Sequence, residues 1–203
     1  MKIAIDIGHA RLTGATGNGL QEHEVCTRLA LLLAAELRAV ATVRVVDFPQ
    51  LSNGGDLRET VRDINAWGAD LSVSLHCDAS QNATARGAHV IYTSAAGGEV
   101  AAEIAARLCP LMPGRANRTV KRRDLYVLNN THCPAVLVEC GFLTNSKDAD
   151  MLRHELPRLA RTIAAGVQAG LAFFYLARKK KITVVRSEWE LSIRWGPRGG
   201  IVK

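Results

Sequence analysis

Two histidines in this 203-residue chain stand where apolar runs give way to small residues: His9 in "DIGHA" and His76 in "SLHCDA". A catalytic zinc site takes neutral imidazoles and a carboxylate and leaves one position open to water. His9 and His76 offer the imidazoles. Glu22 is placed to offer the carboxylate, because it opens the first helix after the glycine-rich loop "TGATGNGLQ" that follows His9. Glu22 also has a plain alternative, an acid at a helix N-terminus that favours the dipole. Glu139, at the end of the apolar run in "PAVLVEC", has two readings. It is a strand-end acid reaching solvent or an arginine such as Arg118, or a general acid/base with a pKa raised by apolar surroundings. The remaining histidines signal less. His89 in "GAHVIY" reads as core or solvated, His154 as exposed on a polar helix, His23 as part of a first helical turn, and His132 as a loop residue.

For these groups to meet, the elements must deliver them to one edge. Apolar runs read as strands at Lys2–Ile7, Thr42–Asp47, Leu71–Leu75, Gly87–Tyr92 and Ala135–Glu139, with a short one at Leu125–Leu128. Helical periodicity covers Gln21–Arg38, Asp56–Trp67 with Asp56 as N-cap, Glu99–Leu111 stopped by Pro110 and Pro113, Lys147–His154 and Leu156–Ala177. Strands alternating with helices predict a single α/β domain over residues 1–177, with helices on both faces of a largely parallel or mixed sheet. Ligands in such folds gather beyond the carboxyl ends of the strands. His9, His76 and Glu139 are all expected there.

The formal charge of +7 favours an anionic partner, whether nucleic acid, membrane surface or wall polymer. Nucleic acid is disfavoured, because the basic residues of "RANRTVKRR" lack aromatic neighbours on which bases stack. The loop "GATGNG" matches neither a P-loop nor GxGxxG. Five cysteines without a CxxC read as reduced thiols. Asp6 breaks the first apolar run, so no signal peptide is expected, and "TIAAGVQAGLAFFYLA" is short for a membrane span. From Arg178 on, a basic cluster precedes two alternating stretches, "ITVV" and "WELSIRW". This tail, residues 178–203, reads as a solvated linker with a small hairpin, or as a wall-contact surface using Trp189 and Trp195.

Four ordered segments resemble one family, the zinc-dependent N-acetylmuramoyl-L-alanine amidases of the Amidase_3 type. They are "IAIDIGHA", "GLQEHEVCTRLALLLAAEL", "LRETVRDINAWGADLSVSLHCDA" and "NRTVKRRDLYVLNNTHCPAVLVECGFLTNSKDADML". The resemblance implies an α/β domain with a mixed, mostly parallel sheet of about six strands. It implies Zn2+ held by His9, Glu22 and His76, with Glu24 as an alternative to Glu22, and Glu139 as catalytic acid/base. The implied reaction is metal-assisted hydrolysis of the amide between the lactyl group of N-acetylmuramic acid and L-alanine of the stem peptide. Ile7, Ala10 and Asp78 depart from the family's usual proline, glycine and asparagine. Peptidoglycan is the implied partner, and a monomer is expected. The chain is expected to be made in the cytoplasm without a signal peptide and to act at the wall, as a phage or prophage endolysin released by a holin. A non-cutting wall-binding module and a zinc peptidase acting within the stem peptide are the alternatives.

Overall fold

The computed structural model describes the backbone of residues 1–51, 54–180, 182–186, 191–195 and 200–202, and the side chains of 1–51 and 54–172. The chain begins with β1 (Lys2–Ile7), a hairpin of β2 (Thr16–Gly17) and β3 (Leu20–Gln21), α1 (Glu22–Leu37), β4 (Thr42–Val46), α2 (Gly55–Trp67) and β5 (Leu71–Asp78). It continues with β6 (His89–Tyr92), α3 (Ala95–Leu111), β7 (Thr119–Lys121), α4 (Tyr126–Asn130), β8 (Ala135–Phe142), α5 (Ser146–His154) and α6 (Leu156–Lys180). In the tail, β9 (Ile182–Arg186), β10 (Leu191–Trp195) and β11 (Gly200–Val202) form an antiparallel three-stranded sheet. Trp189 and the side chain of Trp195 lie outside the described residues.

The main sheet has six strands in the order β4-β1-β5-β8-β6-β7, parallel throughout except where β6 meets β8. This is the α/β architecture with a mostly parallel sheet that the alternation of elements predicts. Side chains alternate across each strand, so every second residue shares a face. Ile3, Ile5, Leu71, Val73, Leu75, Val136, Val138 and Val90 bury on one face, beneath α1, α3 and α6. On that side the stripe Leu29, Leu33 and Leu37 of α1 is fully buried, and truncating any of them to alanine costs about 2–5 kcal/mol. The intervening positions turn to the other face, where Ala4 packs with Val46 and Ile64, and Leu137 and Ile91 with Val61 and Leu128. Among the described residues that second face is covered by α2 and α4, and Asp6, His76, His89 and Glu139 lie on it.

Several elements differ from the sequence reading. Leu125–Leu128 does not form a strand. Thr119–Lys121 takes the place beside β6, and the following chain turns helical as α4, burying Val127 and Leu128 against the sheet. Helix α2 starts from Gly54, which caps it at a φ of 75°, so Asp56 stands in the first turn and is not the cap. Helix α3 begins at Ala95, because the Ser94 hydroxyl accepts from the Gly97 N–H at 3.0 Å. Pro110 is carried within its last turn on the exposed side, beside exposed Ala106. Strands β5 and β8 run past His76 and Glu139 to Asp78 and Phe142, with a register shift there and Gly141 at a φ of 147°.

Candidate metal centre and acid/base

His9 is delivered by the turn that leaves β1. Gly8 continues the ladder, donating its N–H to the Leu75 carbonyl at 2.9 Å, and His9 then adopts a φ of 65°, uncommon for a residue with a side chain. His76 lies on the adjacent strand β5. The loop from Ala10 to Gln21 folds back through the β2–β3 hairpin and sets Glu22 at the first turn of α1, below both rings. Glu22 is 3% exposed. Its Oε1 lies 3.0 Å from His76 Nδ1 and accepts from the Cys77 N–H at 3.0 Å. Its Oε2 lies 3.3 Å from His9 Nε2 and accepts from the Ala15 N–H at 2.7 Å. Burial pushes this carboxyl up, but the His76 contact and the two amide donors outweigh it and hold the pKa below the ordinary value.

One ligand atom from each of His9, Glu22 and His76 lies within 4.8 Å of the others, the one such group among the described residues. Two imidazoles and one carboxylate are the protein ligands of a catalytic zinc, with the fourth position open. The cradle is cut to these side chains: a Cβ on Gly14 would stand 2.7 Å from Glu22 Oε2 and 2.8 Å from His9 Cδ2. Glu24, two residues further along the helix, is exposed, and the grouped donors include Glu22 and not Glu24.

Glu139 on β8 is the cross-strand partner of His76 on one side and of His89 on the other, so the three share one face in a row. Its Oε2 is buried and has no hydrogen-bond partner among the described residues. Burial raises its pKa to about 8; His76 and Arg115 oppose the shift, while Asp78 and Glu22 add to it. Among the described residues it makes no ion pair with Arg118 or any other arginine. One pleat below, Asp6 is buried and pairs with Ser74 across the sheet, and burial raises its pKa. On the His9 side a cavity of about 350 Å3 opens between Phe48, Asp56, Thr60 and the rings of His9 and His76.

The other histidines separate cleanly. His23 is buried with Nε2 3.1 Å from Asp47 Oδ1, and His132 and His154 are exposed. His89 is buried at the far edge of the site. Burial first, then the charges of Arg115 and Arg122, push it down to about 4, so the ring is neutral. Sequence reasoning missed Arg115, which reaches the site from a loop with no local pattern to mark it. All five cysteines are free thiols, four of them buried.

A model of the N-acetylmuramoyl-L-alanine amidase family, Amidase_3, matches residues 3–169. Curated relatives include N-acetylmuramoyl-L-alanine amidase LytC of Bacillus subtilis, 32% identical over 159 residues that make up 74% of this chain and 31% of LytC. The chain thus spans about a third of LytC. The uncharacterized protein YqiI of the same organism is 35% identical over 162 residues, 75% of each chain. Among solved structures, the catalytic domain of the CD27L endolysin targeting Clostridia difficile superposes with a TM-score of 0.76 at 31% identity, over 83% of this chain and 97% of that one.

Proposed function

The chain belongs to the N-acetylmuramoyl-L-alanine amidase family, and we propose that it hydrolyses the amide between the lactyl group of N-acetylmuramic acid and L-alanine of the stem peptide. The observation that carries this reading is one juxtaposition: a three-donor cluster of His9, Glu22 and His76 with a protonatable Glu139 beside His76 on the next strand. His9, Glu22 and His76 would hold zinc, which when bound supplies Lewis acidity toward the scissile carbonyl and a water. The rest is the work of the chain. Glu22 is itself fixed by two backbone donors, the Ala15 and Cys77 N–H groups, which hold its carboxylate toward both rings. Glu139 takes a proton from the attacking water as the new C–O bond forms. It returns that proton to the L-alanine nitrogen as the C–N bond breaks. A carboxyl raised toward neutrality suits both transfers, and a cation placed at the cluster draws it toward ionisation. The likeness to an endolysin catalytic domain supports a lytic role at the cell wall.

The test is digestion of purified sacculi with products read by mass spectrometry. Stem peptides with a free L-alanine amino terminus are expected, lost with chelator and regained with zinc. Shortened peptides still attached to muramic acid would replace the amidase by a peptidase, and the absence of any product would leave a binding module.

A further inference from the structure

Beyond Glu139, on the side away from the metal ligands, a guanidinium is held in place with part of its donor edge open. Arg115 Nη2 donates to Asp78 Oδ2 at 2.7 Å and lies 3.4 Å from His89 Nε2, and the guanidinium carbon sits 5.0 Å from the centroid of the Phe142 ring. The backbone beneath it is fixed as well. The segment between α3 and β7 is bonded to β6 and its approach at both ends: the Ala88 N–H donates to the Met112 carbonyl and the Val90 N–H to the Arg118 carbonyl, each at 2.9 Å. Gly87 lies so close that a Cβ there would stand 2.8 Å from the Arg115 amide nitrogen. Even so, the Arg115 side chain is 38% exposed. An ion pair this open contributes little to stability. A planar fork fixed at one nitrogen, its other N–H groups without a partner among the described residues, is suited to receiving a carboxylate.

The order of the strands says which carboxylate. Across β1, β5, β8 and β6 the sheet presents His9, His76, Glu139 and His89 in turn. The acid that protonates the leaving amine must stand on the amine side of the scissile bond. On the amidase reading this sends the peptide from Glu139 toward β6 and Arg115, and leaves the glycan the side of β1 and the cavity at Phe48 and Asp56. Adjacent strands are about 4.8 Å apart. Two residues of extended peptide reach about 7 Å. The first anion within that reach belongs to the residue after L-alanine, a glutamate joined onward through its side chain, whose α-carboxyl is either free or amidated. We propose that Arg115 is a specificity residue that receives this α-carboxylate, so that the enzyme distinguishes glutamate from its α-amide at the second position of the stem.

This inference rests on the amidase reading, and one experiment separates the two. Two soluble disaccharide-tetrapeptides, differing only in D-glutamate or D-isoglutamine at the second position, are digested by the zinc-loaded full chain alongside sacculi. In the wild type, kcat/KM for the glutamate form is expected to exceed that for the amide by roughly tenfold or more, the scale of a charge-assisted bond. Arg115→Gln should bring the ratio close to one. Arg115→Lys, which keeps the charge without the fork, should restore it in part. An equal or inverted ratio in the wild type, or a ratio unchanged by Arg115→Gln, overturns the assignment and leaves the amidase standing. No cleavage of either compound or of sacculi overturns the amidase reading and this assignment with it.

Discussion

A Cβ on Gly8 would stand 2.5 Å from His76 Cε1 and 2.6 Å from the Leu75 carbonyl oxygen, and neither can yield, one being a candidate ligand and the other backbone. Gly8→Ala should therefore cost about 1–3 kcal/mol of stability, the usual penalty for overpacking. It should also weaken zinc binding at least tenfold, read by denaturant unfolding of the chelated protein and by metal titration. Wild-type zinc affinity in that variant would show that the cradle adapts. Glu139 makes a different kind of prediction. Its folded pKa of about 8 lies above the ordinary 4.5, so the folded chain keeps a proton that the unfolded chain releases. That contribution to stability is fully present below about pH 4.5 and is lost as pH rises through 8. In chelated protein, the Tm of Glu139→Gln minus that of wild type should be smallest near pH 4.5 and climb steadily to pH 8.5. A flat difference would mean that the carboxylate ionises there without cost. With zinc present, the same variant should bind the metal normally and lose about 10²–10⁴-fold in kcat, the range for general acid/base groups.

The carboxyl ends of the strands made the centre readable in the sequence, because ligands in α/β sheets gather there and His9, His76 and Glu139 each follow an apolar run. The structure adds the register: the even positions of β5 and the odd positions of β8 share one face, which sets His76 beside Glu139. Glu22 was readable because helix α1 begins where its loop ends. What stayed hidden depends on contacts distant in sequence. Nothing in "LYVLNN" says that Thr119–Lys121 has already claimed the edge beside β6, so an apolar segment with strand propensity folds as α4 instead. Arg115 and Asp78 are 37 residues apart, and no periodicity links them. Asp148 belongs to the same class. It is 1% exposed at the start of α5, and its Oδ2 accepts from the Gly87 N–H at 2.6 Å and the Phe142 N–H at 3.0 Å. It thereby ties the end of β8 to the approach to β6, on which Arg115 rests. Asp148→Ala leaves two buried amides without a partner, and a loss of about 2–5 kcal/mol is expected in urea unfolding. A loss under about 0.5 kcal/mol would mean that water replaces the carboxylate at both.

At the scale of the whole molecule, charge is distributed very unevenly along the chain. Eight of the lysines and arginines and two of the acids lie from Arg178 onward, so residues 178–203 carry six of the seven net positive charges. The 1–177 portion, with His9, Glu22, His76 and Glu139, is close to neutral. Substrate recognition at Arg115 is a matter of one fixed fork, whereas attraction to a polyanionic wall sums over many charges and is screened within about 10 Å at 0.1 M salt. The two contributions can therefore be separated. Replacing Arg178, Lys179, Lys180 and Lys181 with glutamine should weaken co-sedimentation with sacculi several-fold at low salt and flatten its salt dependence. Turnover of a soluble disaccharide-tetrapeptide should stay within about twofold, because long-range attraction to a small substrate is modest. If soluble turnover falls in step with wall binding, the tail is engaged with the catalytic centre. If wall binding is unchanged, the positive tail is a solvated segment, and adhesion must come from the catalytic face.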